Sequence, residues 1–274
     1  MRLVHLLAHI FVVVAIVALT ASGAPPVHAQ SEVLTIAAAS NLKDAFRKLL
    51  PLFEAQNRDV NVRVIYAHPK TLTKQIEEGA PVDVLLAGQV EDIDLLEGKE
   101  LIIKESKHIY ARTALVLITN SAFPALVTSI EELATKPVRH IAIGDPAASA
   151  VGKDTIQFLK HRNLESRLKA QLLYGEHSRA VLDLVSKGEA ELGVVYRTDA
   201  IGSKRVRIID SAPPDSHRPI TYGAVSPWTA RNIAGARDFV SFLQTEKAQG
   251  ELKQYGFDSV DSDISPTPHQ EVQP

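Results

Sequence analysis

Residues 33–53 read VLTIAAASNLKDAFRKLLPLF, and this stretch decides the fold class. The segment Val33 to Ala38 is short, apolar and rich in β-forming residues, which is typical of a buried strand. It is followed by apolar residues spaced four, three, one and three positions apart, which trace one face of a helix: Leu42, Phe46, Leu49, Leu50 and Phe53. The sequence therefore predicts a strand that leads directly into a helix through the turn Ala39-Ser40-Asn41.

The same alternation of strands and helices continues along the chain. Val60, Val62 and Val64 alternate with polar residues, a pattern that indicates a strand with one buried face. Further strands are predicted at residues 82–87, 114–118, 140–144, 192–196, 206–209 and 220–225. Helices are predicted at about residues 71–78, 91–96, 129–134, 154–161, 164–169, 179–187, 233–244 and 247–255. Strands separated by helices need crossover connections, so we expect an α/β fold with mostly parallel sheets covered on both faces.

The composition disfavours several functional classes. The 274 residues carry 30 Lys+Arg against 32 Asp+Glu without a clustered basic stretch, which disfavours a nucleic-acid-binding protein. The sequence has no cysteine, which excludes disulfides, zinc–thiolate sites and cysteine nucleophiles. It also lacks the GxSxG motif of many serine hydrolases and the HExxH motif of zinc enzymes. We therefore expect neither catalysis nor a cofactor.

The first 29 residues have the pattern of a signal peptide. Arg2 precedes an uninterrupted apolar stretch at residues 10–19, and Val27-His28-Ala29 provides a small-residue cleavage site. We expect cleavage after Ala29 and export to the periplasm. An N-terminal membrane anchor is the alternative, although the apolar stretch is short for a spanning helix. At the other end, residues 259–274 are rich in Asp, Ser and Pro and are expected to form a disordered tail.

Small polar residues follow several of the predicted strands, at the turns that lead into helices. These turns lie at residues 39–41, 68–71, 144–153 and 175–179, and Tyr196 ends a further strand. In open parallel sheets, ligands bind at the carboxyl ends of the strands, where helix N-termini present unpaired N–H groups. Uncharged donors gathered at such an edge suit a small anion.

Each of these turns also has a purely structural interpretation. Asn41, with Asp44 three residues later, would be a helix cap. Gly144-Asp145-Pro146 would be a plain turn, Arg179 a solvated helix residue, and Tyr196 a core aromatic residue. The residues alone leave these alternatives open.

Several segments resemble, in sequence and in order, those of the periplasmic molybdate-binding proteins of ABC importers. The resemblance extends from about residue 34 to residue 257 and is carried by LTIAAASN (34–41), KQIEEGAPVD (74–83), IGDP (143–146), LGVVYRTDA (192–200), DSH with PI (215–217 and 219–220) and YGF (255–257). It implies a two-lobed periplasmic binding protein of type II, in which two crossing strands join the lobes and one oxyanion occupies the cleft. Lobe one would comprise residues 30–111 and 219–258, and lobe two residues 112–218.

The resemblance also implies the ligand and the partners. The ligand would be molybdate, possible alternatives being tungstate, another small anion or a carboxylate. The partners would be an inner-membrane ABC permease and its cytoplasmic ATPase, which the protein would serve as a monomer. A periplasmic sensor domain built on the same fold is a further alternative.

Carried over residue by residue, the resemblance places the oxyanion against Ser40 and Asn41 in the first turn and against Tyr196. Val151 and Ser178 align with two further contacts that act mainly through main-chain N–H groups. The anion would thus be held by hydrogen bonds to its oxygens, without direct metal ligands.

Two segments depart from the family pattern. Pro69 aligns with a ligand-binding Ser of the family, and proline offers neither a hydroxyl nor an N–H group. Lys70, Thr71 or His68 are the candidates to supply the missing donors, and Lys70 would favour a carboxylate or another oxyanion if it entered the cleft. The second departure is Ala87-Gly88-Gln89, where many relatives have Ser-Ala-Asp.

Overall fold

The computed structural model describes residues 32–260. The predicted signal peptide and its cleavage site, and residues 261–274 of the predicted tail, lie outside the described residues. Within residues 32–260 the strands are β1 Glu32–Ala39, β2 Val60–Ala67, β3 Val84–Leu86, β4 His108–Thr113, β5 Leu115–Asn120, β6 Ile141–Gly144, β7 Leu172–Gly175, β8 Leu192–Tyr196, β9 Val206–Ser211 and β10 Ile220–Val225.

The α-helices of the same residues are α1 Lys43–Gln56, α2 Pro69–Glu77, α3 Val90–Glu97, α4 Ala150–His161, α5 Glu165–Leu168, α6 Ser178–Ser186, α7 Arg197–Ala200, α8 Ile233–Leu243 and α9 Glu246–Gln254. Short 3-10 helices occupy Ser40–Leu42, Lys104–Ser106, Glu131–Ala134, Lys169–Gln171 and Pro214–Ser216. No helix in this part of the chain is both long and apolar enough to cross a membrane.

The strands form two five-stranded sheets, in the orders β2-β1-β3-β10-β4 and β7-β6-β8-β5-β9. In the first sheet only β10 runs against the other four strands, because it pairs antiparallel with both β3 and β4. In the second sheet β5 is the reversed strand. The chain crosses between the sheets at Ala114, from β4 to β5, and at residues 212–219, from β9 to β10. The predicted α/β class, with mostly parallel sheets, is confirmed.

Both faces of each sheet are covered by apolar side chains. In β5, Leu115 and Leu117 pack in one cluster with residues of α4, whereas Val116 and Ile118 pack in another with residues of α6. In the first sheet, α1, α8 and α9 cover one face, and α2 and α3 cover the other. Because successive side chains of a central strand point to opposite faces and both faces are buried, these strands are continuous apolar segments in the sequence.

Residues 256–258 link the two sheets near the first crossing. The carbonyl oxygen of Gly256 accepts hydrogen bonds from the Thr113 hydroxyl, at 3.0 Å, and from the Arg197 guanidinium, at 3.1 Å. Arg197 also pairs with the Asp258 carboxylate. Gly256 has a φ of 84°, and a Cβ added there would lie 3.0 Å from main-chain atoms of Arg197 and Thr198. Both the backbone conformation and the close approach therefore favour glycine at this position.

The sequence patterns missed some short elements. Strand β4 was not predicted, because the polar residues His108 and Arg112 interrupt its apolar pattern. Strand β7 is four residues long and only partly buried, and it was also missed. The helix predicted at residues 129–134 is wrong: only a 3-10 turn forms at Glu131–Ala134, and the Glu132 carboxylate accepts the Thr128 N–H at 2.7 Å.

Candidate functional site

The carboxyl ends of β1, β2 and β3 bring three turns together at one edge of the first sheet. Gly88 follows β3 and marks the point where they meet. A Cβ added to Gly88 would lie 3.2 Å from the Ala39 Cβ, 3.5 Å from the Asn41 Oδ1 and 3.6 Å from the Pro69 Cγ. The predicted residues Asn41 and Pro69 are therefore neighbours in space, as expected for parallel strands.

The first of these turns exposes polar groups. Ser40 and Asn41 are exposed and begin a 3-10 helix that continues into α1. Neither this helix nor α1 has a side-chain cap, so the interpretation of Asn41 as a helix cap is wrong. The first N–H groups of a helix have no intrahelical partner. The turn can therefore offer both main-chain and side-chain donors to an anion.

The second turn uses its main-chain donors internally. Pro69 is the first residue of α2, and His68 is its N-cap. The Lys70 N–H donates to the His68 Nδ1 at 3.3 Å, and the Thr71 N–H donates to the His68 carbonyl at 2.9 Å. The side chains of Lys70 and Thr71 are exposed. Although Pro69, Lys70 and Thr71 lie at the expected edge, their turn has few unused main-chain donors.

In the second sheet, two helix N-termini follow β6 and β7. Val151 is the second residue of α4, and Ser178 is the first residue of α6. The caps Ser149 and His177 accept the third N–H group of each helix, from Gly152 at 3.3 Å and from Ala180 at 3.2 Å. The first two N–H groups of each helix, including those of Val151 and Ser178, have no intrahelical partner.

The turns after β6 and β7 are held side by side. The Asp145 N–H donates to the Gly175 carbonyl at 2.7 Å. A Cβ added to Gly152 would lie only 2.4 Å from the Gly144 carbonyl oxygen, so the start of α4 packs directly on the end of β6. The segment at residues 144–152 is thus a tight strand-to-helix junction that aims helix N–H groups along the strand ends.

The Ser178 hydroxyl is engaged in a hydrogen bond to the carboxylate of Asp199. Burial raises the pKa of Asp199, and the Ser178 hydroxyl, which hydrogen-bonds to this carboxylate, opposes the shift, as do the neighbouring Arg179 and His177. With its hydroxyl engaged, Ser178 offers an anion its main-chain N–H.

Tyr196 connects the two sheets through hydrogen bonds. Its side chain is 7% exposed. The Tyr196 hydroxyl donates to the Asp154 Oδ2 at 2.6 Å and accepts the Gln89 Nε2 at 2.6 Å. Burial, followed by the negative charge of Asp154, raises the pKa of Tyr196 well above its usual range. The hydroxyl thus stays protonated at neutral pH and links β8 to the turn after β3.

Arg218 extends this link. It lies in the segment that returns from β9 to β10. Its Nε donates to the Asp154 Oδ1 at 2.7 Å and its Nη1 donates to the Glu91 Oε1 at 2.6 Å, which joins α4 to α3. The Asp154 side chain is 1% exposed, so Arg218 provides the countercharge of a buried carboxylate. We call Gln89, Tyr196, Asp154, Arg218 and Glu91 the inter-sheet network.

Sequence reasoning missed most of this network. Asp154 and Arg218 were not singled out, and Gln89 was noted only as a departure from the family. Their partners are 64 and 107 residues away along the chain, so no local spacing could reveal them.

Other features of the described residues do not suggest a second kind of site. A surface concavity of about 300 Å³ is lined by Lys43, Arg47 and Tyr66 among others, and none of the predicted site residues borders it. Among residues 32–260, no three His, Asp or Glu side chains are grouped so that they could hold a metal ion.

Comparisons with known proteins agree with this architecture. The molybdate-binding protein ModA of Haemophilus influenzae is 33% identical over 232 residues, which cover 84% of this chain and 91% of that protein. A substrate-binding domain assigned to a molybdenum ABC transporter of Clostridium difficile has a TM-score of 0.78 and 28% identity, covering 84% of this chain and all of that domain. The periplasmic molybdate-binding protein of Azotobacter vinelandii has a TM-score of 0.66 and 26% identity, covering 82% of this chain and 98% of that structure.

The profile of a whole family matches almost the entire described region. It is the family described as bacterial extracellular solute-binding protein, and it matches residues 34–258. Families of this kind consist of transport receptors and not of enzymes. The resemblance to the molybdate-binding proteins and the two-lobed α/β fold are confirmed. This chain therefore belongs to the bacterial extracellular solute-binding protein family and is related to its molybdate-binding members.

Proposed function

We propose that the protein captures a small oxyanion, molybdate or tungstate, between the strand ends of its two sheets. The observation that carries this proposal is the contact between Gln89 and Tyr196, which brings the turns of the first sheet next to β8 of the second. Ser40 and Asn41 on one side, and Val151, Ser178 and Tyr196 on the other, would then surround one anion. The relatives named for molybdate binding support the choice of ligand.

The hydrogen-bond donors at the strand ends favour a fully deprotonated anion. The groups available at these turns are main-chain N–H groups together with the Ser40 hydroxyl and the Asn41 amide, because the hydroxyls of Ser178 and Tyr196 already donate to Asp199 and Asp154. Such donors suit a ligand that only accepts hydrogen bonds. Molybdate and tungstate are dianions without a proton at neutral pH. Hydrogen phosphate would also need an acceptor, but the buried carboxylate of Asp154 is already engaged by Tyr196 and Arg218, and that of Asp199 by the Ser178 hydroxyl. The chemistry of the site thus favours the first two anions.

The transport role is the second part of the proposal. The mature protein, cleaved after Ala29, would carry the anion through the periplasm as a monomer and deliver it to an inner-membrane ABC permease with a cytoplasmic ATPase. The lobes would comprise residues 30–111 with 219–258 and residues 112–218. The chain crossings at Ala114 and at residues 212–219 support these boundaries. Closure of the lobes would bury the anion against the helix N-termini.

A thermal-shift screen tests the ligand class. The mature protein is heated with molybdate, tungstate, sulfate, phosphate or small carboxylates, each at the same ionic strength. A ligand that binds only the folded state at 100 times its Kd stabilises that state by about 2.7 kcal/mol, which raises the unfolding temperature measurably. We expect a shift with molybdate and tungstate. A shift with carboxylates alone would refute the oxyanion assignment.

A further inference from the structure

The first sheet has no donor at Pro69, where the family resemblance implies a ligand-binding serine. Pro69 has no N–H group, and the next two N–H groups of α2 are taken by His68. Among the predicted residues of this sheet, unused main-chain donors then remain mainly in the turn at Ser40 and Asn41, whereas Lys70 and Thr71 offer exposed side chains. Gln89 is a further polar residue at this edge, because it follows Gly88, and a Cβ added to Gly88 would lie 3.5 Å from Asn41 and 3.6 Å from Pro69.

The inter-sheet network fixes the orientation of the Gln89 amide. A carboxylate can only accept hydrogen bonds, so Asp154 receives the proton of the Tyr196 hydroxyl. The Tyr196 oxygen must then act as the acceptor toward Gln89. The amide therefore presents its nitrogen, and not its oxygen, to Tyr196.

This orientation leaves one donor unused. An amide nitrogen carries two hydrogens, and Gln89 donates one of them to Tyr196. Between residues 32 and 260 the second hydrogen meets no acceptor within hydrogen-bond distance. The backbone beneath this side chain is well anchored, since Gln89 is the N-cap of α3 and its N–H donates to the Asp92 carboxylate.

We propose that Gln89 donates its second amide N–H directly to the bound oxyanion and so supplies the donor that is missing at Pro69. The Gln89 nitrogen lies 2.6 Å from the Tyr196 oxygen, so an anion that lies beside Tyr196 is within reach of the amide. The Tyr196 hydroxyl donates its single hydrogen to Asp154, so the donor offered at this point is the Gln89 amide. A neutral amide also keeps this part of the site uncharged. This inference rests on the proposed function, since it concerns a contact to the same anion.

A double-mutant cycle on molybdate affinity tests the proposal. Gln89→Met preserves most of the side-chain volume and removes the amide. A hydrogen bond to a charged group contributes about 1.5–3 kcal/mol, so we expect the Kd for molybdate to rise at least tenfold. We also expect the Kd to rise further when Gln89→Met is added to Tyr196→Phe, because the amide would contact the anion itself. This second rise should be smaller than in the wild type, since Gln89 and Tyr196 share a hydrogen bond. Gln254→Met, the same exchange at an exposed position of α9, is the matched control and should leave the Kd unchanged.

The cycle separates a direct contact from a positioning role. If Gln89 only held Tyr196 in place, Gln89→Met would have no further effect in the Tyr196→Phe protein, and the proposal would be overturned. Molybdate binding by the wild type with an unchanged Kd in Gln89→Met would also overturn it while leaving the proposed function intact. A wild type that binds neither molybdate nor tungstate would refute both. Thermal unfolding of each variant without ligand verifies that it is folded.

Discussion

Removing Arg218 should weaken the folded state, because this residue neutralises a carboxylate that has almost no contact with water. The Asp154 side chain is 1% exposed, whereas Arg218 is 37% exposed and Glu91 is 40% exposed. In Arg218→Met, Asp154 would keep only its hydrogen bond from Tyr196. The methionine would keep an uncharged chain in place of the aliphatic stem of the arginine and would remove the guanidinium.

The expected magnitude follows from these exposures. Breaking a fully buried ion pair by removing one partner costs about 3–5 kcal/mol. Because Arg218 is more than one third exposed, water screens the pair, and we expect about 2 kcal/mol for the loss of its contact with Asp154. The half-exposed contact with Glu91 adds about 0.5 kcal/mol. The free energy of unfolding should therefore fall by roughly 2–3 kcal/mol.

Urea unfolding measures this loss. With a slope of about 2 kcal/mol per molar urea, the midpoint should fall by about 1 M. Asp154→Asn removes the buried charge, so we expect Arg218→Met to cost less than about 1 kcal/mol when it is added to Asp154→Asn. A loss below about 0.5 kcal/mol in Arg218→Met alone, or strictly additive effects in the double variant, would refute this account of the network.

Three further predictions concern single positions. Gly256→Ala should lower the free energy of unfolding by about 1–3 kcal/mol in urea, because φ is 84° and the Arg197 backbone is close; no change would mean that the segment adjusts freely. Burial raises the pKa of Asp199, so the folded state binds more protons than the unfolded state above the usual carboxyl range, and stability falls as the pH rises through the folded pKa. Asp199→Asn should therefore stabilise the protein at about pH 7 and less so at about pH 4, whereas a gain independent of pH would contradict this explanation. Asn41→Ala should raise the Kd for molybdate about tenfold and leave urea unfolding unchanged, since Asn41 caps no helix; a stability loss of about 1 kcal/mol would point to a capping role instead.

The fold was predictable because its signals are local. The strand at residues 33–38 and the helical face that begins at Leu42 each occupy a single continuous segment, and the structure has β1 and α1 there. The start of α2 also has a local signal in the sequence. Proline is favoured at the first position of a helix, so His68-Pro69 indicates a helix that begins at Pro69 and not at residue 71.

The candidate site was predictable only in part, because its side-chain contacts are not local. The turn at Ser40 and Asn41 could be found from the end of one strand. The partners of Tyr196 and Arg218 could not, since Gln89 and Glu91 approach them from another sheet after more than 100 residues of chain. Only the folded structure shows that a buried carboxylate, Asp154, sets the direction of these hydrogen bonds.

Isothermal titration calorimetry of the mature protein with molybdate tests the central claim most directly. The account predicts saturable binding of one molybdate per protein molecule, with tungstate competing for the same site. The absence of heat with both anions, under conditions in which a known molybdate-binding protein gives a normal titration, would contradict the claim that the strand ends of the two sheets form an oxyanion site.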